Sequence, residues 1–193
     1  MSMRNGVVLG ILLASAGCAS APPVEPVRGA LKPALASQVS ASADPGATCM
    51  AKPEHRQFDF FAGEWTAYDG ENERTGTNSV VIGQGGCALF EYWKPDALDG
   101  GDGGTSLSFF DPLTGLWRQI WTSPEAQVHI AGKLIDGEMR MEGEIFHHET
   151  DRRANYRARW TLQPDGSVLQ ESEEFDADND AWIDTGVSVY RKS

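Results

Sequence analysis

Hydrophobic and polar residues alternate with a period of two along most of the chain after residue 57. Short runs rich in Trp, Tyr, Phe, Val and Thr recur about every ten residues between polar or glycine-bearing segments, a spacing typical of antiparallel strands. The predicted strands are 64–68, 77–82, 87–93, 105–110, 116–122, 128–134, 139–146, 155–162, 168–175 and 185–190.

Turn signals separate these strands. They include Gly85-Gly86, Asp136-Gly137 and the run 164–166 (PDG), whose residues favour the backbone conformations of tight turns. No segment carries a long helical period. Because about ten consecutive antiparallel strands are too many for a flat open sheet, we predict an all-β fold, an antiparallel meander that closes into a barrel of about ten strands.

Alternate residues of a strand share one face, so parity predicts which side chains point into the barrel. On the third strand Glu91 shares its face with Leu89 and Trp93. A packed core would consist of aliphatic residues, whereas an interior that mixes tryptophan with polar groups indicates a lined cavity. The predicted ligand-binding residues are Trp65, Asn78, Glu91, Trp93, Trp117, Gln119, Trp121, Arg157 and Gln170.

A structural interpretation of the same residues stays open. Glu91 pairs with Arg157 in that interpretation, and the buried salt bridge fixes the register of the strands while the tryptophans fill the barrel. Loss of one partner of such a pair costs about 3–5 kcal/mol, so stability alone would account for both residues.

The first residues have the layout of a signal peptide. A short region with Arg4 precedes an apolar run at 7–13 and then small residues before Cys18. The run is too short to span a membrane, which takes about 20 residues. Residues 15–18 (SAGC) resemble the lipobox of bacterial lipoproteins, except that Ser15 stands where leucine is usual. We expect 1–17 to be removed and Cys18 to be lipidated; cleavage of an ordinary signal near Ala16 or Ala19 is the alternative.

Composition divides the remaining chain into two parts. Residues 18–57 are dominated by Ala, Pro and Ser and predict a flexible tether, and residues 58–193 form the barrel domain. Ala19 after the lipidated cysteine favours the periplasmic face of the outer membrane, with a soluble periplasmic or secreted protein as the alternative.

Charge limits the partners. The chain has a formal net charge of -12 and a pI near 4.7. A surface of this sign does not attract nucleic acid or anionic lipid head groups. We therefore expect no nucleic-acid partner, and membrane contact only through the lipid anchor.

Cysteine usage agrees with export. If Cys18 is lipidated, Cys49 and Cys87 remain as a pair that would form a disulfide in an oxidising compartment. The alternative is two free thiols with a catalytic or metal-binding role, but the chain lacks the clustered Cys and His spacing of metal sites.

Four runs together resemble a known family: 58–65 (FDFFAGEW), 86–93 (GCALFEYW), 117–121 (WRQIW) and 165–170 (DGSVLQ). They are similar to the bacterial domain-of-unknown-function family 1579 and its lipocalin-like relatives, over essentially the whole predicted domain. The resemblance implies a calycin-type β-barrel, often exported, with no established activity. Relatives tend to have a Ser-x-Asp-Gly-Gly-x-Thr-Trp hairpin, whereas this chain has 175–182 (FDADNDAW), so that turn should differ.

Metal and cofactor signals are weak. Asp176, Asp178 and Asp180 have the spacing that opens an EF-hand loop, but Ala181 replaces its glycine and Val187 its bidentate glutamate. We therefore expect no metal there.

The histidines raise a haem alternative, because haem-binding barrels of the nitrobindin type use a histidine axial ligand. His129, on the sixth predicted strand, is the candidate. A surface role is the favoured interpretation for His55, His129, His147 and His148, and we expect no cofactor.

Catalytic motifs are also weak. The chain has no Gly-x-Ser-x-Gly elbow, and the run 100–104 (GGDGG) has no lysine or following helix to hold phosphate. That run predicts a mobile loop at the barrel mouth. We predict an exported lipoprotein whose barrel binds a small, partly apolar molecule; the alternatives are an enzyme that uses Glu91 as acid or base, and a filled-barrel scaffold.

Overall fold

The computed structural model describes residues 49–96 and 103–193. Ten antiparallel strands, each paired with the next in the chain, form a closed barrel in which the last strand pairs with the first. They are β1 (Gly63–Tyr68), β2 (Arg74–Gly83), β3 (Ala88–Pro95), β4 (Gly104–Asp111), β5 (Leu116–Thr122), β6 (Ala126–Ile135), β7 (Glu138–His147), β8 (Arg152–Leu162), β9 (Val168–Asp176) and β10 (Ala181–Lys192). The predicted all-β meander barrel is confirmed.

The strand bounds differ from the prediction mainly at the ends. Cys87, predicted to open the third strand, instead follows a short 3-10 turn (Gln84–Gly86), and β3 begins at Ala88. β10 begins at Ala181, earlier than predicted, and its pairing with β9 shifts between Asp184 and Gly186. Such a shift is the mark of a β-bulge, which interrupts the alternation from which the strand was predicted.

The tight turn between β6 and β7 matches its sequence signal. Asp136 and Gly137 have φ values of 52° and 85°, the left-handed region that a two-residue hairpin requires. This turn sets the pairing register of β6 and β7, in which Ile135 lies opposite Glu138 and Leu134 lies opposite Met139.

The core lies inside the barrel and is made by alternate residues of the strands. Apolar side chains that are almost completely buried there include Trp65, Ala67, Val80, Leu89, Trp117, Ile130, Met139, Met141, Trp160 and Val168. Their burial on one face, with polar residues on the other, explains why these segments form strands and why the sheet closes.

One end of the barrel is capped by the segment before β1. Two 3-10 turns (Pro53–Arg56 and Asp59–Phe61) bring Phe58 and Phe61 into the interior, where both are fully buried. The Phe58 ring meets the Trp117 and Trp160 rings edge-on at 5.7 and 5.3 Å between centroids. These contacts close that end, which we call the capped end; the other is the opposite end.

A disulfide ties the start of this cap to the barrel. Cys49 and Cys87 are bonded, with their Cα atoms 4.9 Å apart, so the predicted pair is confirmed. Residues 49–57, predicted to belong to the tether, are therefore held at the capped end, and His55 among them is buried.

Several predicted features lie outside the described residues: the signal peptide 1–17, Cys18, the tether up to residue 48, and residues 97–102, which include part of the glycine-rich run. Within the described ranges, no helix is long and apolar enough to cross a membrane.

Candidate functional site

The inner wall of the barrel carries most of the predicted ligand-binding residues. Asn78 lies opposite Trp93 in the β2–β3 pair, and Glu91 lies opposite Ser106 in the β3–β4 pair. Ser106 in turn lies opposite Trp121. The inward-facing members of the predicted set are Trp65, Asn78, Glu91, Trp93, Trp117, Gln119, Trp121 and Gln170.

Arg157 is the exception, and the inward orientation predicted for it is wrong. Its guanidinium lies on the outer face of β8, where Nε and one Nη donate to the Glu173 carboxylate at 2.6 and 2.8 Å. The same group lies 4.2 Å from the centre of the Trp182 ring. Arg157 therefore does not meet Glu91, and the salt bridge considered between them is absent.

The inward face of β8 is instead formed by Tyr156, Ala158 and Trp160. Burial of these apolar bodies outweighs the burial of two guanidinium groups, which would need partners inside. Arg159 follows the same rule and pairs outside with Glu171 through two hydrogen bonds of 2.7 Å.

A cavity of about 320 Å³ lies inside the barrel, on the side away from the cap. Its walls combine aromatic rings with a few polar groups, which is the composition of small-molecule sites. The lining residues are Glu91, Trp93, Gln119, Trp121, Ala126, Val128, Ile145, Tyr156, Trp160, Gln170, Ser188 and Tyr190. Trp93 and Trp121 are part-exposed, whereas Trp160 is buried.

Three of the inward-facing predicted residues do not line the cavity. Trp65, Asn78 and Trp117 are almost completely buried and lie in the packed part of the interior. The Trp65 indole donates to the Phe61 carbonyl at 2.9 Å, and the Trp117 indole to the Gln57 side chain at 3.3 Å. Both tryptophans therefore hold the cap in place.

Glu91 is the buried acid of this cavity, with 7% of its surface exposed. Its Oε1 accepts a hydrogen bond from the Asn78 amide at 2.8 Å, and its Oε2 accepts one from the Ser106 hydroxyl at 2.7 Å. Burial raises the pKa of Glu91, although the hydrogen bonds from Ser106 and Asn78 act in the other direction. The carboxyl group is thus positioned by two neutral donors.

Two further polar pairs stand beside it. The Gln119 amide donates to the Ser108 hydroxyl at 3.1 Å, and the Tyr190 hydroxyl donates to the Gln170 carbonyl at 2.9 Å. Burial raises the pKa of Tyr190 far above its usual value, with the nearby charge of Glu91 adding to the shift. Tyr190 is therefore a neutral donor at any ordinary pH.

A separate charged cluster lies towards the opposite end. Glu174 accepts a hydrogen bond from His147 at 2.7 Å and is bonded to Arg152. Burial acts to raise the pKa of Glu174, but the hydrogen bonds from Arg152 and His147 outweigh it and hold the pKa below its usual range. Its negative charge is balanced locally.

Sequence reasoning missed several residues of the cavity wall. Tyr156 and Trp160 were overlooked because Arg157, which lies between them in the sequence, was assigned to the interior. The signal that identifies them is their spacing of four with Ala158 between, the apolar parity of β8. Ser188 and Tyr190 share the inward parity of β10 in the same way.

None of the four histidines lines the cavity. His129 is exposed on the outer face of β6, opposite Ile120 and Glu144, so it does not reach the interior where a haem would bind. The surface role expected for His55 is wrong, since it is buried edge-on to Phe110 at 5.2 Å. Within residues 49–96 and 103–193, no group of three or more His, Cys, Asp or Glu side chains could hold a metal ion.

A larger hollow of about 650 Å³ lies on the outer face of β6–β9. Its walls include Arg157, Arg159, Glu171 and Glu173, whose charges pair with one another. Because these groups already satisfy each other and are partly hydrated, the interior cavity is the better candidate for a ligand site.

Comparison with models of known protein families finds no match for this chain, and comparison with curated proteins finds none.

Proposed function

We propose that the protein is an exported lipoprotein whose barrel binds a small, partly apolar molecule in its interior. The observation that supports this is the cavity of about 320 Å³ between Glu91, Trp121 and Tyr190. Ligand pockets usually range from about 300 to 1,000 Å³, so this cavity fits a small molecule. The aromatic rings supply contact area, and the polar groups supply orientation.

A filled-barrel scaffold fits the interior less well. Protein cores are packed as densely as organic crystals and contain few voids larger than a water molecule. At about 30 Å³ per water, the cavity has room for about ten. A barrel whose only role is structural has no need of such a space beside its aromatic wall.

An enzyme that uses Glu91 as acid or base is the second candidate. The specific observation in its favour is that burial raises the pKa of Glu91 at a cavity wall. However, no histidine, cysteine, lysine or second carboxylate lines the described cavity wall to act with it. Binding therefore remains the leading proposal.

Export and anchoring form part of the same proposal. The Cys49–Cys87 disulfide supports an oxidising compartment, since structural disulfides are rare in the cytosol of mesophiles. The resemblance to the domain-of-unknown-function family 1579 supports the same location. Labelling of the protein with a palmitate analogue in a bacterial host tests the anchor: label should be lost in Cys18→Ser, and equal labelling of both proteins would contradict lipidation.

Occupancy of the interior is tested by native mass spectrometry of the purified domain, before and after denaturing release of bound molecules. Ser188→Phe places a ring in the cavity and should abolish co-purification of a ligand. Val189→Phe is the matched control, because Val189 has the opposite parity on the same strand. A ligand retained equally by both variants would contradict interior binding, and an empty wild-type protein with no thermal shift across a metabolite panel would favour the scaffold.

A further inference from the structure

Among residues 49–96 and 103–193, Glu91 has no cationic partner. Its carboxylate is held by an amide and a hydroxyl, both neutral, and its side chain is almost completely buried. Buried carboxylates in proteins are usually paired with a cation or coordinate one. A buried, oriented acid at a cavity wall therefore lacks a neutralising positive charge. A bound ligand could supply that charge.

The groups that face Glu91 from neighbouring elements are neutral and supply no positive charge. β2 presents Asn78 and β4 presents Ser106, neither of them charged. Across the interior stand Tyr156 on β8 and Tyr190 on β10, whose pKa values are both raised by burial. All four groups are neutral near pH 7.

Cations with inward parity occur at the two ends. Lys192 lies at the capped end, where its ammonium is 3.7 Å from the centre of the Trp65 ring. Arg152 and His147 lie towards the opposite end, where their side chains contact the Glu174 carboxylate. In the described part of the barrel, the cavity wall itself carries no Lys, Arg or His.

Aromatic rings line the space that Glu91 faces. Trp93, Trp121, Tyr156, Trp160 and Tyr190 all contribute to the wall. A cation within about 6 Å of an aromatic face gains about 0.5–2 kcal/mol, most at tryptophan and when water is excluded. An acid surrounded by such rings is the arrangement that favours an organic ammonium ion.

The charge of the whole chain acts in the same direction. With a net charge of -12, the protein attracts cations over long distances and repels anions. The ligand chemistry inferred from the cavity therefore agrees with that favoured by the approach to it.

We infer that the interior cavity binds an organic ammonium ion with a small apolar body, with its positive charge beside Glu91 and its apolar part against the aromatic wall. This rests on the proposed function, because it specifies the ligand of the same site. The volume of the cavity limits the size of the ligand. The cavity lies at the lower end of the range of known ligand pockets, which suits a molecule of about ten non-hydrogen atoms.

Two matched probes test this inference. 2-Phenylethylammonium and 2-phenylethanol have the same number of non-hydrogen atoms and differ chiefly in charge. Isothermal titration calorimetry at pH 7 should show the ammonium binding at least tenfold more tightly to the wild-type protein. In Glu91→Gln the two probes should bind with about equal affinity, because the affinity for the ammonium falls while the affinity for the alcohol stays unchanged.

The protons exchanged on binding give a second readout. A bound cation favours the ionised form of Glu91, so its binding should release protons where part of the Glu91 population is protonated. Titrations in phosphate and Tris buffers, which differ in ionisation enthalpy, measure this release. Glu91→Gln should abolish it, and 2-phenylethanol should release none.

The outcomes separate this inference from the proposed function. Equal affinity for both probes, blocked by Ser188→Phe, would overturn the ammonium inference and leave interior binding intact. No binding of either probe at millimolar concentration would also overturn it, while occupancy by native mass spectrometry judges interior binding independently.

If Glu91→Gln fails to fold, Trp121→Leu serves instead. Trp121 is part-exposed at the cavity wall, so the fold should tolerate its replacement. The ammonium affinity should fall at least threefold more than the alcohol affinity. Equal losses for the two probes would contradict a cationic site.

Discussion

At the scale of single residues, Glu91 shows how a barrel can keep an acid inside. Asn78 and Ser106 donate to its two oxygens from the neighbouring strands, so its orientation is fixed without a salt bridge. Two neutral hydrogen bonds recover part of the solvation that the carboxylate loses on folding. The remaining cost appears as the raised pKa of Glu91.

Replacement of Glu91 by glutamine should therefore stabilise the ligand-free protein at neutral pH. The folded-state pKa of Glu91 lies above its ordinary value of 4.5, so the unfolded chain loses this proton first and stability falls as pH rises through that interval. Glutamine removes the penalty, and its amide can accept a hydrogen bond from Asn78 while donating one to the Ser106 hydroxyl. Denaturant unfolding at pH 4 and pH 8 should show the stability gained by Glu91→Gln growing with pH.

Other carboxylates also change the stability of each protein with pH, but they do not change the difference in stability between Glu91→Gln and the wild type. Hydrogen bonds from Arg157 hold the pKa of Glu173 low, so its contribution is lost in both proteins as pH falls through that lowered pKa. Ser79→Ala, an outward change on β2, controls for the effect of any substitution. A stability difference that is the same at both pH values would contradict a raised Glu91 pKa.

Two buried tryptophans differ in one hydrogen bond. The Trp65 indole donates to the Phe61 carbonyl, whereas the Trp160 nitrogen has no partner among the described protein atoms. Since an unsatisfied buried donor costs about 1–3 kcal/mol, Trp65→Phe should cost about 1–2 kcal/mol more than Trp160→Phe. Urea unfolding of both variants measures this, and equal costs would indicate that a bound water or ligand satisfies Trp160.

At the scale of elements, β8 illustrates how one strand presents aromatic side chains on its inner face and charged side chains on its outer face. Its inward residues Tyr156 and Trp160 line the cavity, while Arg157 and Arg159 form bidentate pairs with Glu173 and Glu171 of β9 outside. Cross-strand pairs of opposite charge favour this register, because a shift by one residue would bury both arginines.

The outer ion pair should contribute little to stability. The Arg157 side chain is 41% exposed, and partly hydrated pairs are usually worth about 0–1 kcal/mol. Arg157→Gln should therefore lower the free energy of unfolding by less than about 1 kcal/mol and leave interior binding unchanged. Glu173→Gln is the matched control, and a loss of about 3–5 kcal/mol would indicate a buried pair instead.

At the scale of the whole molecule, the chain closes its barrel in two ways. β10 pairs with β1, which removes both sheet edges, and the segment before β1 caps one end with Phe58 and Phe61. The cap fills the interior beside β1, and the cavity remains away from it. The position of the ligand site thus depends on both closures.

The Cys49–Cys87 disulfide joins the cap to the barrel across a sequence separation of 38 residues. In the chain-entropy model, a link of this span stabilises the fold by about 3–4 kcal/mol. The double variant Cys49→Ser, Cys87→Ser should lose about this amount in denaturant unfolding, and reduction of the wild-type protein should match it. A loss below about 1 kcal/mol would mean that packing of Phe58 and Phe61 alone holds the cap.

Much of the fold could be predicted from the sequence because its signals are local. Alternation at period two located all ten strands, and Asp136-Gly137 located a hairpin whose positive φ values those residues accommodate. Cysteine pairing was predictable because only Cys49 and Cys87 remain once Cys18 is assigned to the lipid.

The candidate site was only partly predictable, since parity gives two faces without saying which one is inside. On β3 the choice was plain, with Leu89 and Trp93 beside Glu91. On β8 both faces offer long side chains, and only pairing with Glu171 and Glu173 placed the arginines outside.

By itself, the sequence determined the strands, the turns and the disulfide, because alternation, turn preference and cysteine number act within short stretches or by simple pairing. Tertiary structure decided what Glu91 contacts, where Arg157 lies and which part of the barrel stays empty. These depend on register around a closed sheet and on where Phe58 and Phe61 enter it. Both result from contacts between residues far apart in the chain, which no local pattern encodes.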